Sequence, residues 1–183
     1  MARTLAPYGD QVLIRDAVDA DADAVATIHH RGWVETYRGL LPDPYLDELT
    51  LEACLARWRA GMTGASRTYV ATSSDQVVGF ATVGRSTDGD APAAGELWDL
   101  WVLPEHRSAG VGARLLHHAL ARLAVDHRVA VVWVLAGNTR ARAFYERQGA
   151  LRDGLTREQQ VPGGVMTDVR YLFDLRGRAE RAE

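Results

Sequence analysis

The residues best suited to chemistry begin with Arg107-Ser108-Ala109-Gly110-Val111-Gly112, a short loop directly ahead of an amphipathic run. Two glycines let backbone approach a ligand closely, and the free N–H groups of a following helix's first turn favour an anion such as a pyrophosphate. The same glycines also suit a tight strand-to-helix turn that holds no ligand. A dinucleotide fingerprint is disfavoured: it asks for Gly or Ala three positions after the second glycine, where Leu115 stands, and it opens a fold rather than falling past residue 100. Upstream, Glu96 and Asp99 lie three residues apart, which on an alternating strand turns them to opposite faces and denies them a common site. His29 and His30 sit in helical spacing, where a histidine is usually packed or solvated, and His117, His118 and His127 lack metal-ligand spacing. No metal is expected. The single thiol, Cys54, occupies an apolar helical position that points to core rather than to a nucleophile.

The 183 residues that must hold these groups are 47% hydrophobic and 25% charged, the profile of one globular domain able to bury a full core. All 21 basic residues are arginine, so Schiff-base catalysis by lysine and a P-loop are both excluded. A net charge of −3 supplies no basic field for nucleic acid or an anionic membrane. One cysteine, no signal-like leader and no apolar run of membrane-spanning length lead to the expectation of a cytoplasmic protein.

Val12–Ile14 reads as a strand, and the following Asp16, Asp19, Asp21 and Asp23 as helix-start chemistry for a run carrying Val25, Ile28 and Trp33. Pro42 and Pro44 impose a break. Thr50 then caps a helix with Leu51, Cys54, Leu55 and Trp58 at helical spacing, ended by Gly61 and Gly64. Residues 68–72 and 77–83 form a predicted hairpin, 86–95 a solvated loop, and 96–102 a strand ended by Pro104. A helix follows from Gly110, then the apolar strand Val129–Leu135, a short helix from Asn138 to Gly149, and a last strand over 165–175 after the Pro162-Gly163-Gly164 turn. The order implies a mixed α/β layer structure with one βαβ unit, residues 96–135, and a ligand crevice at its carboxyl end. The core is expected over 9–175, with frayed ends at 1–8 and 176–183.

Two stretches carry a family resemblance. Leu100 through Leu116 contains Arg107-x-x-Gly110-x-Gly112, and Asn138 through Ala150 contains Asn138 followed by Phe144-Tyr145-Glu146-x-x-Gly149. Together they resemble the GNAT superfamily of acetyl-coenzyme A dependent N-acetyltransferases along nearly the whole chain. The stretch from His30 to Pro42 is also similar to one bacterial branch of it. The resemblance implies a mostly antiparallel sheet with a splay between two parallel strands, and acetyl-CoA as co-substrate. It further implies that Leu100, Trp101 and Val102 pair with the pantetheine arm, that the amides of Arg107, Ser108, Ala109, Gly110, Val111 and Gly112 hold the pyrophosphate, and that Asn138 touches the pantetheine, beside a possible N-cap role.

By the same resemblance, Glu96 matches a general base and Tyr145 the acid that protonates the departing thiolate, with an alkaline limb expected near the ordinary phenol pKa of about 10. A general base or a water relay is needed because an amine of pKa near 10.4 is neutral in only about one molecule in 10³ at pH 7, and His29 and His30 are lesser candidates beside Glu96. Trp33, Tyr37 and Arg38 are expected either to line the acceptor pocket or to pack across a turn. The implied activity is direct transfer to a primary amine of a small molecule or a peptide or protein N-terminus. The alternative is a coenzyme A binding sensor or an inactive partner subunit, and a homodimer stays open.

Overall fold

The computed structural model describes residues 12–60 and 66–176; the expected helix stop at Gly61 and Gly64, and the expected frayed ends apart from Arg176, lie outside them. Seven strands form one sheet in the order β1-β2-β3-β4-β5-β7-β6. They are β1 (Leu13–Asp16), β2 (Arg67–Ser73), β3 (Gln76–Arg85), β4 (Gly95–Val102), β5 (Val129–Leu135), β6 (Leu151–Val161) and β7 (Gly164–Asp174). The helices are α1 (Ala22–Tyr37), α2 (Asp43–Glu48), α3 (Leu51–Ala60), α4 (Val111–Leu123) and α5 (Thr139–Arg147). Of the six strand pairings among the described residues only β4 with β5 is parallel, and α4 crosses between them, as the apolar pattern of 96–135 predicts.

That parallel pairing covers only Gly95 to Leu97 against Ala130 to Val132. Beyond it β4 stays on β3 while β5 stays on β7, so the two strands part and the edge of β4 toward β5 is left open. The expected splay is present.

Each face of the sheet has its own helices. Val83, Leu97, Ala130, Val132, Val169 and Tyr171 share one core with α4, whose Val111, Leu115, Leu116, Ala119 and Leu120 recur at helical spacing and are buried. On the opposite face α1 and α3 enclose Val70 and Phe80 with Val25, Ile28, Cys54 and Trp58. Cys54 is therefore core, and burial pushes its thiol up from the usual value.

Four features depart from expectation. The Pro42-Asp43-Pro44 break contains α2, because proline is tolerated in a helix's first turn, where its missing N–H has no partner to lose. Residues 151–161 are a strand although their sequence is polar: β6 is an outer strand, exposed along nearly its whole length, and pairing to β7 supplies its order. The aspartates ahead of α1 do not cap it; Asp21 instead accepts from the Val18 N–H at 2.8 Å and from Arg15 at 2.6 Å. Finally, the loop 86–94 is exposed at most positions, as expected, but it is also anchored. Asp88 accepts from Trp133 Nε1 at 3.0 Å, and Arg170, buried on β7, pairs with Asp88, Asp90 and Asp153.

Candidate active site

The site is built where β4 leaves β5. Thr82 of β3 faces Asp99 while Val83 faces Leu97, so Trp98 is one residue more than β3 can match. This bulge reverses the alternation beyond it. Gly95 and Leu97 face α4, whereas Glu96 before the bulge and Asp99 and Trp101 after it face α1. The expectation that Glu96 and Asp99 occupy opposite faces is corrected: one inserted residue brings them to the same one.

Glu96 is 5% exposed, and its Oε2 accepts from Ser86 Oγ at 3.1 Å and from the Thr87 N–H at 3.2 Å. Three residues on, Asp99 accepts from Trp101 Nε1 at 3.3 Å and faces His29 Nε2 at 3.8 Å, both through Oδ1. His29 is fixed from its other side, since Trp58 Nε1 donates to Nδ1 at 3.2 Å and so leaves the imidazole proton on Nε2. Burial lowers the His29 pKa, a shift that Asp99 opposes and Arg57 and His30 reinforce.

Helix α1 can approach β4 this closely because of Gly32, where a Cβ would lie 2.5 Å from Trp101 Cε3. Trp33 and Tyr37 follow on the same helix, their rings 4.7 Å apart, and Tyr37 meets Trp101 at 5.8 Å. Arg38 does not join them. It is exposed and pairs with Asp43 and Asp47 of α2, while Tyr45 of α2 brings its ring to 6.0 Å from that of Trp33.

From the other side of the splay, α5 brings Tyr145, nearly buried and edge-on to Phe144 and Phe173. Burial, then the charges of Tyr37 and Asp99, raise its phenol well above the ordinary value, so the expected limb near pH 10 is displaced upward. The Tyr37 phenol is pushed up to about 12 by burial, partly offset by Asn138. Asn138 caps α5, accepting from the Ala141 N–H at 3.0 Å.

The glycine loop closes the site's outer end. Gly110 is the N-cap of α4 in the left-handed region, φ 81°, and Ser108 shares that region at φ 66°. No side chain caps α4 and no acidic residue stands in its first turn, so the N–H groups of that turn face the loop's mouth with positive partial charge. Arg107 donates to the Val102 carbonyl at 2.9 Å, tying the loop to the end of β4. Burial lowers its pKa, and the neighbouring Arg140 adds to that shift. Leu100 and Val102 pack toward the α4 core, leaving their strand's open edge to the splay. The uncapped α4 N-terminus, the unpaired edge of β4 beyond Leu97, and Glu96 and Asp99 thus belong to one strand and the helix that follows it. Among the described residues no group of three metal-ligating side chains gathers, and no helix is long and apolar enough to cross a membrane.

Comparison with known proteins agrees with this architecture. Residues 29–150 match the Acetyltransferase (GNAT) family. An uncharacterized N-acetyltransferase of Archaeoglobus fulgidus is 33% identical over 129 residues, covering 67% of this chain and 84% of that protein. A probable N-acetyltransferase of Mycobacterium tuberculosis is 29% identical over 162 residues, covering 84% of this chain and 88% of the relative. The crystal structure of PaiA N-acetyltransferase from Thermoplasma acidophilum in complex with coenzyme A superposes with a TM-score of 0.69 at 18% identity, over 90% of this chain and 99% of that one. The chain therefore belongs to the GNAT family and is an acyltransferase that uses acetyl-CoA.

Proposed function

We propose that this acetyltransferase passes acetyl directly to a primary amine of a small molecule or of a peptide or protein N-terminus, with no acetylated protein side chain on the way. The observation that supports the reading most is the parting of β4 from β5 beyond Leu97, on the strand that carries Glu96 and leads to the uncapped α4 N-terminus, with Asp99 of the same strand close enough to raise the Tyr145 phenol. The loop fits an acidic phosphate group: its first-turn N–H groups have no side-chain cap, and a Cβ at Gly112 would touch only Val102 and Phe144 at ordinary contact distance. The residues that would hold coenzyme A are Arg107 through Gly112 at the pyrophosphate, Leu100, Trp101 and Val102 along the pantetheine, and Asn138 opposite. Bound there, acetyl-CoA supplies an acyl thioester.

The chain's own residues do the rest. Glu96 accepts the proton that the amine nitrogen must lose as its bond to the acyl carbon forms; the bonds from Ser86 and Thr87 hold its Oε2, leaving Oε1 for that proton. Tyr145 gives its phenolic proton to the sulfur as the carbon–sulfur bond breaks, and burial keeps that proton in place until then. The core position of Cys54, whose thiol is pushed toward the neutral form, supports transfer without a protein nucleophile.

The test is free-thiol release from acetyl-CoA over a panel of amines with wild type and Glu96→Gln. Turnover should fall by about 10² to 10⁴ in the variant while acetyl-CoA affinity stays within about twofold. Equal turnover and an unchanged pH profile would remove Glu96 from the reaction.

A further inference from the structure

We propose that Asp99 is the binding carboxylate for the acceptor's ammonium group, inside an aromatic frame, and that the acceptor is accordingly an aliphatic amine arriving as a cation. This rests on the amine-acetylating reading and adds to it the charge state in which the acceptor is recognised.

The starting point is an imbalance. The Asp99 side chain is 13% exposed, and no arginine lies within ion-pair distance of it among the described residues. Its facing histidine is held by Trp58 with a proton only on Nε2, and burial disfavours adding another. Both nearby donors, Trp101 Nε1 and His29 Nε2, converge on Oδ1, and no hydrogen bond reaches Oδ2 from the described residues. A mostly buried carboxylate without a cationic partner is costly in the free protein, and a ligand that brings a positive charge relieves the cost.

The walls suit the same ligand. His29, Trp33, Tyr37 and Trp101 close a ring of successive contacts, with centroid distances of 6.4, 4.7, 5.8 and 6.0 Å. Their faces carry negative quadrupole density, which attracts ammonium groups and is indifferent to neutral ones. A cavity of about 270 Å³, lined by His29, Trp33, Tyr45, Glu48, Leu49 and Arg57, shares His29 and Trp33 with this frame and includes no residue of the glycine loop.

The division of labour follows from the bulge. Glu96, before it, is tied to the loop 86–94 and serves proton transfer; Asp99, after it, is tied to α1 and serves binding. His29 acts through Asp99 and is a positioning residue.

The experiment uses intrinsic tryptophan fluorescence, since Trp33, Trp58 and Trp101 surround the site. Wild-type protein is titrated with n-butylammonium and, separately, with n-butanol of the same shape. A saturable response to the cation alone is expected, weakened at least about 30-fold in Asp99→Asn, as for loss of one partner of a buried charge pair. In thiol-release kinetics the same variant should raise the KM for n-butylamine with acetyl-CoA KM unchanged, whereas Glu96→Gln acts on kcat. His29→Gln should raise the amine KM less than Asp99→Asn does and leave kcat near wild type. Equal responses to cation and alcohol, or equal cation affinity in a folded Asp99→Asn, would overturn the proposal. Protein that binds the cation through Asp99 yet releases no thiol with any amine would uphold the site and overturn the amine-acetylating reading instead.

Discussion

Replacing Tyr145 with phenylalanine separates a ring that belongs to the core from a hydroxyl that the proposed reaction uses. The ring is 8% exposed and packs edge-on against Phe144 at 5.2 Å and Phe173 at 6.3 Å, contacts that phenylalanine reproduces. No hydrogen bond from the described residues engages the hydroxyl, so its removal should change stability by less than about 1 kcal/mol. Its loss as a proton donor should lower turnover by about 10-fold to 10³-fold, equivalent to about 1.4 to 4 kcal/mol in the barrier. The pH dependence has a definite sign. Burial disfavours the phenolate and the Tyr37 and Asp99 charges reinforce that, so the folded-state pKa lies above 10 and the proton is retained through pH 10. The ratio of wild-type to variant turnover should therefore stay constant from pH 7 to 10, measured by thiol release at saturating acetyl-CoA. A wild-type limb near pH 10 that vanishes in the variant would refute the burial argument, and a variant with wild-type turnover would refute the acid role.

Three further outcomes are expected. Gly112→Asp should weaken coenzyme A binding by more than about 10²-fold by calorimetry while Gly112→Ala is tolerated, because a Cβ there meets Val102 at 3.7 Å and only the charge opposes a phosphate. Gly32→Ala should destabilise by about 1 to 2 kcal/mol: overpacking against Trp101 costs up to about 3 and the gain in helix propensity returns about 1, so the melting temperature should drop by several degrees and the amine KM should rise more than the acetyl-CoA KM. The buried His29 has a folded-state pKa below its unfolded value near 6.5, so its contribution is present above that pH and lost as pH falls toward the folded value, by at most about 1.4 kcal/mol per pH unit; denaturant midpoints between pH 7 and 5 should show this slope, and His29→Gln should reduce it.

What could be read from the chain, and what could not, divides by the range of the interactions involved. The βαβ unit was legible because α4 repeats its apolar residues at 3.6-residue spacing and β5 is apolar on both faces, patterns local to each segment. The caps by Thr50 and Asn138 are local too, each reaching a backbone N–H three residues ahead. Strand β6 was not legible, since Leu151–Val161 is mostly polar, without alternation, and owes its order to β7. Nor was the anchoring of the loop 86–94, which depends on Arg170 from about 80 residues away. The partners of Arg38 were not legible either, because a helix-end arginine looks the same whether it faces a pocket or pairs, as here, with the carboxylates of a short helix that begins between two prolines.

The bulge at Trp98 connects these results, because every assignment on the reactive face depends on it. A period of two makes side-chain direction along a strand a parity rule, and parity survives only while each residue has one partner. With Trp98 unmatched, Leu97 and Leu100 both point to the α4 core although they differ by an odd number, and Glu96 and Asp99 both point to α1. The same extra residue coincides with the end of the parallel pairing to β5, so the strand loses its neighbour and changes its parity at one place. A regular β4 could offer the reactive face Glu96 or Asp99 but not both, and Trp101 would turn away from Gly32 into a core already filled by Leu115 and Leu116. The indole seated over Gly84, where a Cβ would come within 2.5 Å of it, gives the unmatched residue a fixed place, so the bulge is held by packing on β3 as well as by the count of residues.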